Sequence, residues 1–366
     1  MSPSSPPDQI KKQPMIDLPL EARVLSNVLA RRAAAQPDWP FILHGDERHT
    51  YADTERLSTQ LAHGLRRWGV ARGDRVALIL DNSPRYILTL LAIAKLGALN
   101  VPINTAARGE LLRYYLQDAA CTHVLVQDDY LAQLREAWPA IDRPIAIVEA
   151  SGLANIDRLA TWDDLLADGE ARRETGLDVA IDAWDPWLIL YTSGTTGPSK
   201  GSLCPNAHSL TIGRLQSARM ALEPADRLYT CLPLFHGNAL NYSTLTALWA
   251  GATVALETRF SASRFWSDIA FYRATQFNAM MVVTSILEKL PVTRQEQDNT
   301  VRIAAIVPPP ANRRQLEERR APRPGPRQGL GRRQLEAPVA PLWPGRRLEP
   351  PPDSRPAAER PGVAWE

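Results

Sequence analysis

From Thr50 to about Arg319, apolar residues recur either every three or four positions or in short unbroken runs. These two periods take turns along the chain, which predicts an α/β architecture with a largely parallel sheet. The first helix is marked at both ends: Thr50 with Asp53 spells a capping box, Leu57, Leu61, Leu65 and Trp68 form the apolar stripe, and Gly69 supplies the stop. After the turn Arg72-Gly73-Asp74, residues Val76 to Leu80 have the length and composition of a buried strand. Ser83 and Pro84 then offer an N-cap and a first helical position, and Ile87, Leu90, Leu91 and Ala94 form that helix's buried face up to Gly97. Ala98 to Ile103 reads as the following strand. Further strands are predicted at Val124–Gln127, Ile145–Glu149, Trp187–Tyr191, Leu228–Cys231, Thr253–Leu256 and Val301–Val307.

The longest apolar run, Tyr86 to Ile103, is broken by Lys95, Gly97, Asn100 and Pro102, whereas a bilayer span needs about 20 mostly apolar residues. No integral membrane segment is expected, and the run reads as a buried helix followed by a strand. Residues 1–20 lack the apolar stretch of a secretory signal and read as a flexible lead-in. Beyond residue 320 the pattern stops. Residues 321–366 hold 11 prolines and 8 arginines with no Lys, Ile, Phe, Tyr or Met, so this tail is expected to be disordered. It reads either as an interaction tail or as out-of-frame translation of a GC-rich coding sequence. The second is favoured, because the change falls inside the helical pattern Asn312–Arg319.

Composition narrows the partners. The 42 basic and 40 acidic residues are spread along the chain and leave a net charge of +2, so no basic face for nucleic acid is expected. Cys121, Cys204 and Cys231 are too scattered for a disulfide framework or a CxxC metal pair. They read as small core residues in a reducing, cytoplasmic setting. Nothing in the pattern fixes an oligomeric state.

One segment carries chemistry. The strand Trp187–Tyr191 runs straight into Thr192, Ser193, Gly194, Thr195, Thr196, Gly197, Pro198, Ser199, Lys200 and Gly201. Glycines let backbone N–H groups turn toward one point, hydroxyls add donors without bulk, and a lysine brings a mobile positive charge for phosphate oxygens. A Walker loop would need Ser or Thr after its lysine, where this chain has Gly201, so a P-loop kinase or GTPase is disfavoured.

The string YTSGTTGPSKG closely resembles the signature loop of the adenylate-forming superfamily, which includes acyl-CoA synthetases, peptide-synthetase adenylation domains and luciferases. That signature usually has proline immediately before the lysine, whereas Pro198 and Ser199 stand before Lys200 here. Two other segments agree, LTLLAIAKLGALNVPIN from Leu88 and YTCLPLFHGNALN from Tyr229. The resemblance covers about Leu25 to Glu318 and favours the acyl-CoA ligase branch. It implies an α/β fold of stacked, mostly parallel sheets with flanking helices, as in the large N-terminal domain of these enzymes, over residues 21–320.

It also implies roles. Thr192 would contribute to Mg²⁺ binding; Ser193, Gly194, Thr195, Thr196, Gly197 and Lys200 would hold the β- and γ-phosphates of ATP; His236 would lie by the acyl carboxylate. Lys200 and His236 are thus the catalytic candidates. Asn238, Ala239 and Met280 to Ile286 are expected near the acyl or nucleotide side, while His208 is expected only to start a helix. The implied substrates are ATP with Mg²⁺, a carboxylic acid and CoA. No YGxTE-like motif occurs in the chain, and the small C-terminal domain of the resembling enzymes has no counterpart in it, so activity of this chain alone is expected to be impaired or absent. The alternatives are an adenylating domain that loads a carrier protein, and a non-catalytic binding or regulatory protein that keeps the fold.

Overall fold

The computed structural model describes residues 18–138, 145–148, 159–170, 177–192 and 199–308. From the N-terminus, α1 (Leu25–Ala35) leads to a hairpin of β1 (Pro40–His44) and β2 (Glu47–Thr50), then α2 (Tyr51–Trp68) and β3 (Arg75–Ile79). There follow α3 (Pro84–Lys95), β4 (Leu99–Pro102), α4 (Gly109–Asp118), β5 (His123–Gln127), α5 (Leu131–Ala137), β6 (Ile145–Val148), β7 (Leu159–Thr161) and α6 (Trp162–Glu170). Next come β8 (Pro186–Tyr191), β9 (Gly201–Pro205), α7 (Asn206–Arg219) and β10 (Arg227–Thr230). A π-helical segment, Asn238–Leu245, joins α8 (Thr246–Ala250), and β11 (Thr253–Leu256), α9 (Phe265–Phe271), β12 (Gln276–Met280), α10 (Met281–Glu288), α11 (Arg294–Gln297) and β13 (Ile303–Val307) complete the described chain.

The strands form two sheets, in the orders β13-β12-β10-β11-β1-β2 and β7-β6-β5-β3-β4-β8-β9. All neighbouring pairs are parallel except the hairpins β1–β2 and β8–β9. Side chains of the second sheet alternate between two cores. Val76 and Leu78 of β3 face the main core, which also holds Ile42, Leu228 and Val254 of the first sheet. Their neighbours Ala77 and Ile79 join Val124, Val126 and Ile189 in a second core that α4 and α5 cover through Leu112, Leu116, Leu131 and Leu134. A strand buried on both faces needs apolar residues at every position, which is why these strands read as unbroken apolar runs. Every residue of α3 from Tyr86 to Lys95 is buried, as is Pro84, so this helix belongs to the centre of the fold and not to a membrane.

Local signals match the sequence. Thr50 and Asp53 form a reciprocal capping box on α2, which ends in Gly69 at φ 111°. Ser83 caps α3 with Pro84 in its first turn. The three cysteines are buried and take part in no disulfide, and burial pushes Cys204 up to about 11 and Cys231 up to about 12, too high for a thiolate at neutral pH. No helix among the described residues is long and apolar enough to cross a membrane. The tail 321–366 and the predicted helix Asn312–Arg319 lie outside the described residues.

Candidate functional site

The carboxyl ends of parallel strands are where α/β folds place ligands, because side chains and helix starts converge there. Two such ends meet in this chain. β8 ends at Tyr191 and continues into Thr192, while β10 ends at Thr230 and continues through Leu232 and Leu234 to His236. A Cβ added at Gly237 would stand 3.5 Å from the Leu190 side chain, so the His236 segment runs directly against the end of β8.

The base of the Ser/Thr/Gly-rich loop is closed by a collar of hydrogen bonds. The Thr192 N–H donates to the Lys200 carbonyl at 3.1 Å, the Lys200 N–H donates to Thr192 Oγ1 at 3.2 Å, and Ser199 Oγ donates to the Thr192 carbonyl at 2.7 Å. β9 then pairs Gly201 with Tyr191. Thr192 and Lys200 therefore emerge side by side, both exposed, on one rim. Ser193, Gly194, Thr195, Thr196, Gly197 and Pro198 lie outside the described residues.

His236 sits in a turn held by its own N–H to the Pro233 carbonyl at 3.0 Å and by the Leu240 N–H to its carbonyl at 3.2 Å. Its ring lies 4.7 Å from that of Phe235. The residue keeps an exposed edge, yet partial burial moves its pKa below the ordinary imidazole value. It is accordingly neutral at pH 7 and can donate one hydrogen bond without carrying charge.

Asn82 positions this segment and has no counterpart among the residues read from sequence. In the turn between β3 and α3, it donates through Nδ2 to the Leu232 carbonyl at 2.8 Å and to the Glu257 carbonyl at 3.0 Å. Its Oδ1 accepts from the Leu234 N–H at 2.8 Å. One buried amide thus ties the ends of β3, β10 and β11 together. The signal was present only as a polar residue in the turn Asp81-Asn82-Ser83, and its partners lie 150 and more residues away.

The remaining candidates divide. Asn238 Nδ2 reaches Met280 Sδ at 3.7 Å, bringing the end of β12 to the His236 segment. Ala239 is wholly buried and belongs to the core. Met280, Met281, Val282 and Ile286 are exposed, at 38 to 62% of their surface, while Val283 and Thr284 face inward. His208 is the third residue of α7, as the helix-start reading expected.

A triphosphate with its cation fits what is described here. No group of three or more His, Cys, Asp or Glu able to hold a metal occurs among the described residues. Magnesium usually needs none: it keeps its waters, takes one or two protein oxygens and otherwise binds substrate phosphates. Thr192 Oγ1 accepts one hydrogen bond, which leaves a lone pair for such a cation.

Residues 29–322 match the model of a family described as AMP-binding enzyme. A medium/long-chain-fatty-acid–CoA ligase, FadD6 of Mycobacterium tuberculosis, is 31% identical over 280 residues, covering 76% of this chain and 45% of its own. An indoleacetate–CoA ligase of Aromatoleum aromaticum is 33% identical over 255 residues, covering 69% of this chain and 48% of its own. The inhibitor-bound N-terminal domain of FACL13 from Mycobacterium tuberculosis superposes with a TM-score of 0.69 at 25% identity, over 80% of this chain and 72% of that one. The chain spans about half the length of the curated relatives it matches. With the two-sheet fold, the loop at the end of β8 and a family match over most of its length, the chain belongs to the AMP-binding enzyme family.

Proposed function

We propose that this chain is the nucleotide- and acid-binding part of an AMP-forming acid–CoA ligase. The observation that carries the reading is the pairing of two strand ends. The collared loop base at Thr192 and Lys200 lies at the end of β8, and the His236 segment packs on Leu190 of the same strand. A triphosphate on the loop and a carboxylate at His236 would then be neighbours, the arrangement that attack of the carboxylate on the α-phosphorus requires.

In this reading Lys200 supplies positive charge to the leaving pyrophosphate. Ser193, Gly194, Thr195, Thr196 and Gly197 supply N–H and hydroxyl donors to the β- and γ-phosphates, and Thr192 would contribute its hydroxyl to the Mg²⁺ that accompanies ATP. That cation neutralises phosphate charge. His236 donates to the acyl carboxylate or to the nearby acyl-adenylate as a neutral imidazole. A CoA thiol then displaces AMP. Relatives named for fatty, aryl and indole acids support an organic carboxylic acid as substrate. The reduced, buried thiols support a cytoplasmic setting.

The test is carboxylate-dependent exchange of labelled pyrophosphate into ATP, run on this chain and on a version joined to the half of a relative that this chain does not span. The extended protein is expected to exchange with at least one acid, and this chain alone to exchange little or not at all. Robust exchange by the 366-residue chain would contradict the proposed division of labour. No exchange by the extended protein with any acid would contradict the ligase reading.

A further inference from the structure

The loop base is gripped from outside by a helix that the signature string does not include. α4 packs on the second sheet through Leu112, Tyr115 and Leu116, so it is fixed relative to β8. Tyr114 donates its hydroxyl to the Ser199 carbonyl at 2.6 Å, and the hydroxyl of Tyr115 lies 3.3 Å from Ser199 Oγ. On the other arm, Tyr191 donates to Asp118 Oδ2 at 2.7 Å. Three tyrosine rings fill the space between: Tyr115 and Tyr191 have centroids 4.6 Å apart, and Tyr114 meets Tyr191 nearly edge-on at 6.3 Å. Tyr115 and Asp118 are three positions apart on α4, and Tyr114 and Asp118 four, so one helical face presents all three groups.

We infer that Tyr114, Tyr115 and Asp118 of α4 are positioning residues for the proposed ATP-phosphate loop, clasping both of its ends through Ser199 and Tyr191. Ser199 is the hinge of the clasp. Its carbonyl takes the Tyr114 hydroxyl, and its Oγ closes the collar on the Thr192 carbonyl. A proline at 199, as the signature usually has, would offer no hydroxyl for that closure. Burial and the neighbouring Asp118 carboxylate raise Tyr191 above the ordinary phenol value, and desolvation and Asp118 raise Tyr114 likewise. Both phenols therefore remain hydrogen-bond donors across the neutral range. The clasp restricts where Thr192 and Lys200 emerge, so that binding a triphosphate costs less ordering of the chain.

The role in nucleotide binding rests on the functional reading above; the clasp itself does not. Tyr114→Phe and Ser199→Ala remove hydroxyls and keep the surrounding packing. In the ligand-free full chain, trypsin cleavage after Lys200, followed by peptide mass, should quicken about fivefold in each variant, the factor that one ordinary hydrogen bond supplies. The dissociation constant for MgATP should rise by a similar factor while Tm stays within about 2 °C of the parent. Equal cleavage rates in parent and Tyr114→Phe would overturn the clasp whether or not MgATP binds. Quicker cleavage with unchanged MgATP affinity, or an affinity loss accompanied by a fall in Tm of more than about 5 °C, would overturn the positioning role. A parent chain that binds no MgATP would overturn the functional reading, and with it that role.

Discussion

Replacing Gly64 with alanine tests the backbone contact between α2 and α6. Gly64 of α2 faces α6, and a Cβ built there would stand 1.9 Å from the Leu165 carbonyl oxygen; the reciprocal Cβ on Gly169 would stand 1.8 Å from the Gln60 carbonyl oxygen. Cβ atoms essentially never approach another heavy atom below 3.0 Å, so α2 and α6 must part by more than about 1 Å to admit one methyl group. Parting would stretch the bond from Gln60 Nε2 to the Leu166 carbonyl, now 2.9 Å. It would also loosen Leu61, Leu65 and Leu165 in the main core. Alanine raises helix propensity by about 1 kcal/mol over glycine, whereas overpacking a close-packed contact costs about 1–3 kcal/mol or more. The clash involves backbone, which cannot swing away, so the cost wins and a net loss of about 2 kcal/mol is expected. The assay is urea unfolding: the midpoint should fall with the slope unchanged. Gly213→Ala, whose Cβ would meet the Leu245 oxygen at 2.8 Å, should lose less. A Gly64→Ala protein as stable as its parent, or more stable, would refute the backbone-contact argument.

Two further perturbations address local chemistry. Thr50→Ala deletes the hydroxyl that accepts from the Asp53 N–H at 3.0 Å, and urea unfolding should show a loss of about 1 kcal/mol. Asp268 carries a pKa raised to about 6, first by desolvation and then by the neighbouring Glu257 carboxylate. The folded state thus binds this proton more tightly than the unfolded chain does, so stability falls as pH rises from about 4 through about 6. Asp268→Asn should flatten that part of the stability–pH curve and stabilise the protein at pH 7.5, by no more than about 1 kcal/mol because the carboxyl is only partly buried. An unchanged curve would place the titration elsewhere.

How far the sequence could be read depended on the distance between partners. The capping box on α2, the Ser83-Pro84 start of α3 and the strand-into-loop step at Tyr191 are local, and they stand where periodicity and cap chemistry put them. β9 went unread because GSLCP lies at a sheet edge, buries only Cys204 and offers no apolar run. The hairpin β1–β2 was missed for a related reason, since β2 has exposed or half-buried residues throughout. Met280 to Ile286 split between solvent and core because all but Met280 lie in α10, whose inner face takes Val283 and Thr284 and whose outer face takes Met281, Val282 and Ile286. Tertiary positioning was not legible at all. Tyr114 and Ser199 are 85 residues apart, and Asn82 meets Leu232 across 150. Neither pair shows any periodic or motif signal.

The central claim is that the rim formed by Thr192 and Lys200 is a triphosphate site. Titration calorimetry with MgATP on the 366-residue chain and on Lys200→Ala examines it most directly. Lys200 is exposed and outside the cores, so its removal should leave Tm unchanged. Saturable binding by the parent is predicted, weakened at least about tenfold in the variant, as the loss of one charge-assisted hydrogen bond of about 1.5–3 kcal/mol requires. Equal affinity in the two proteins, or no saturable binding by the parent, would contradict the account.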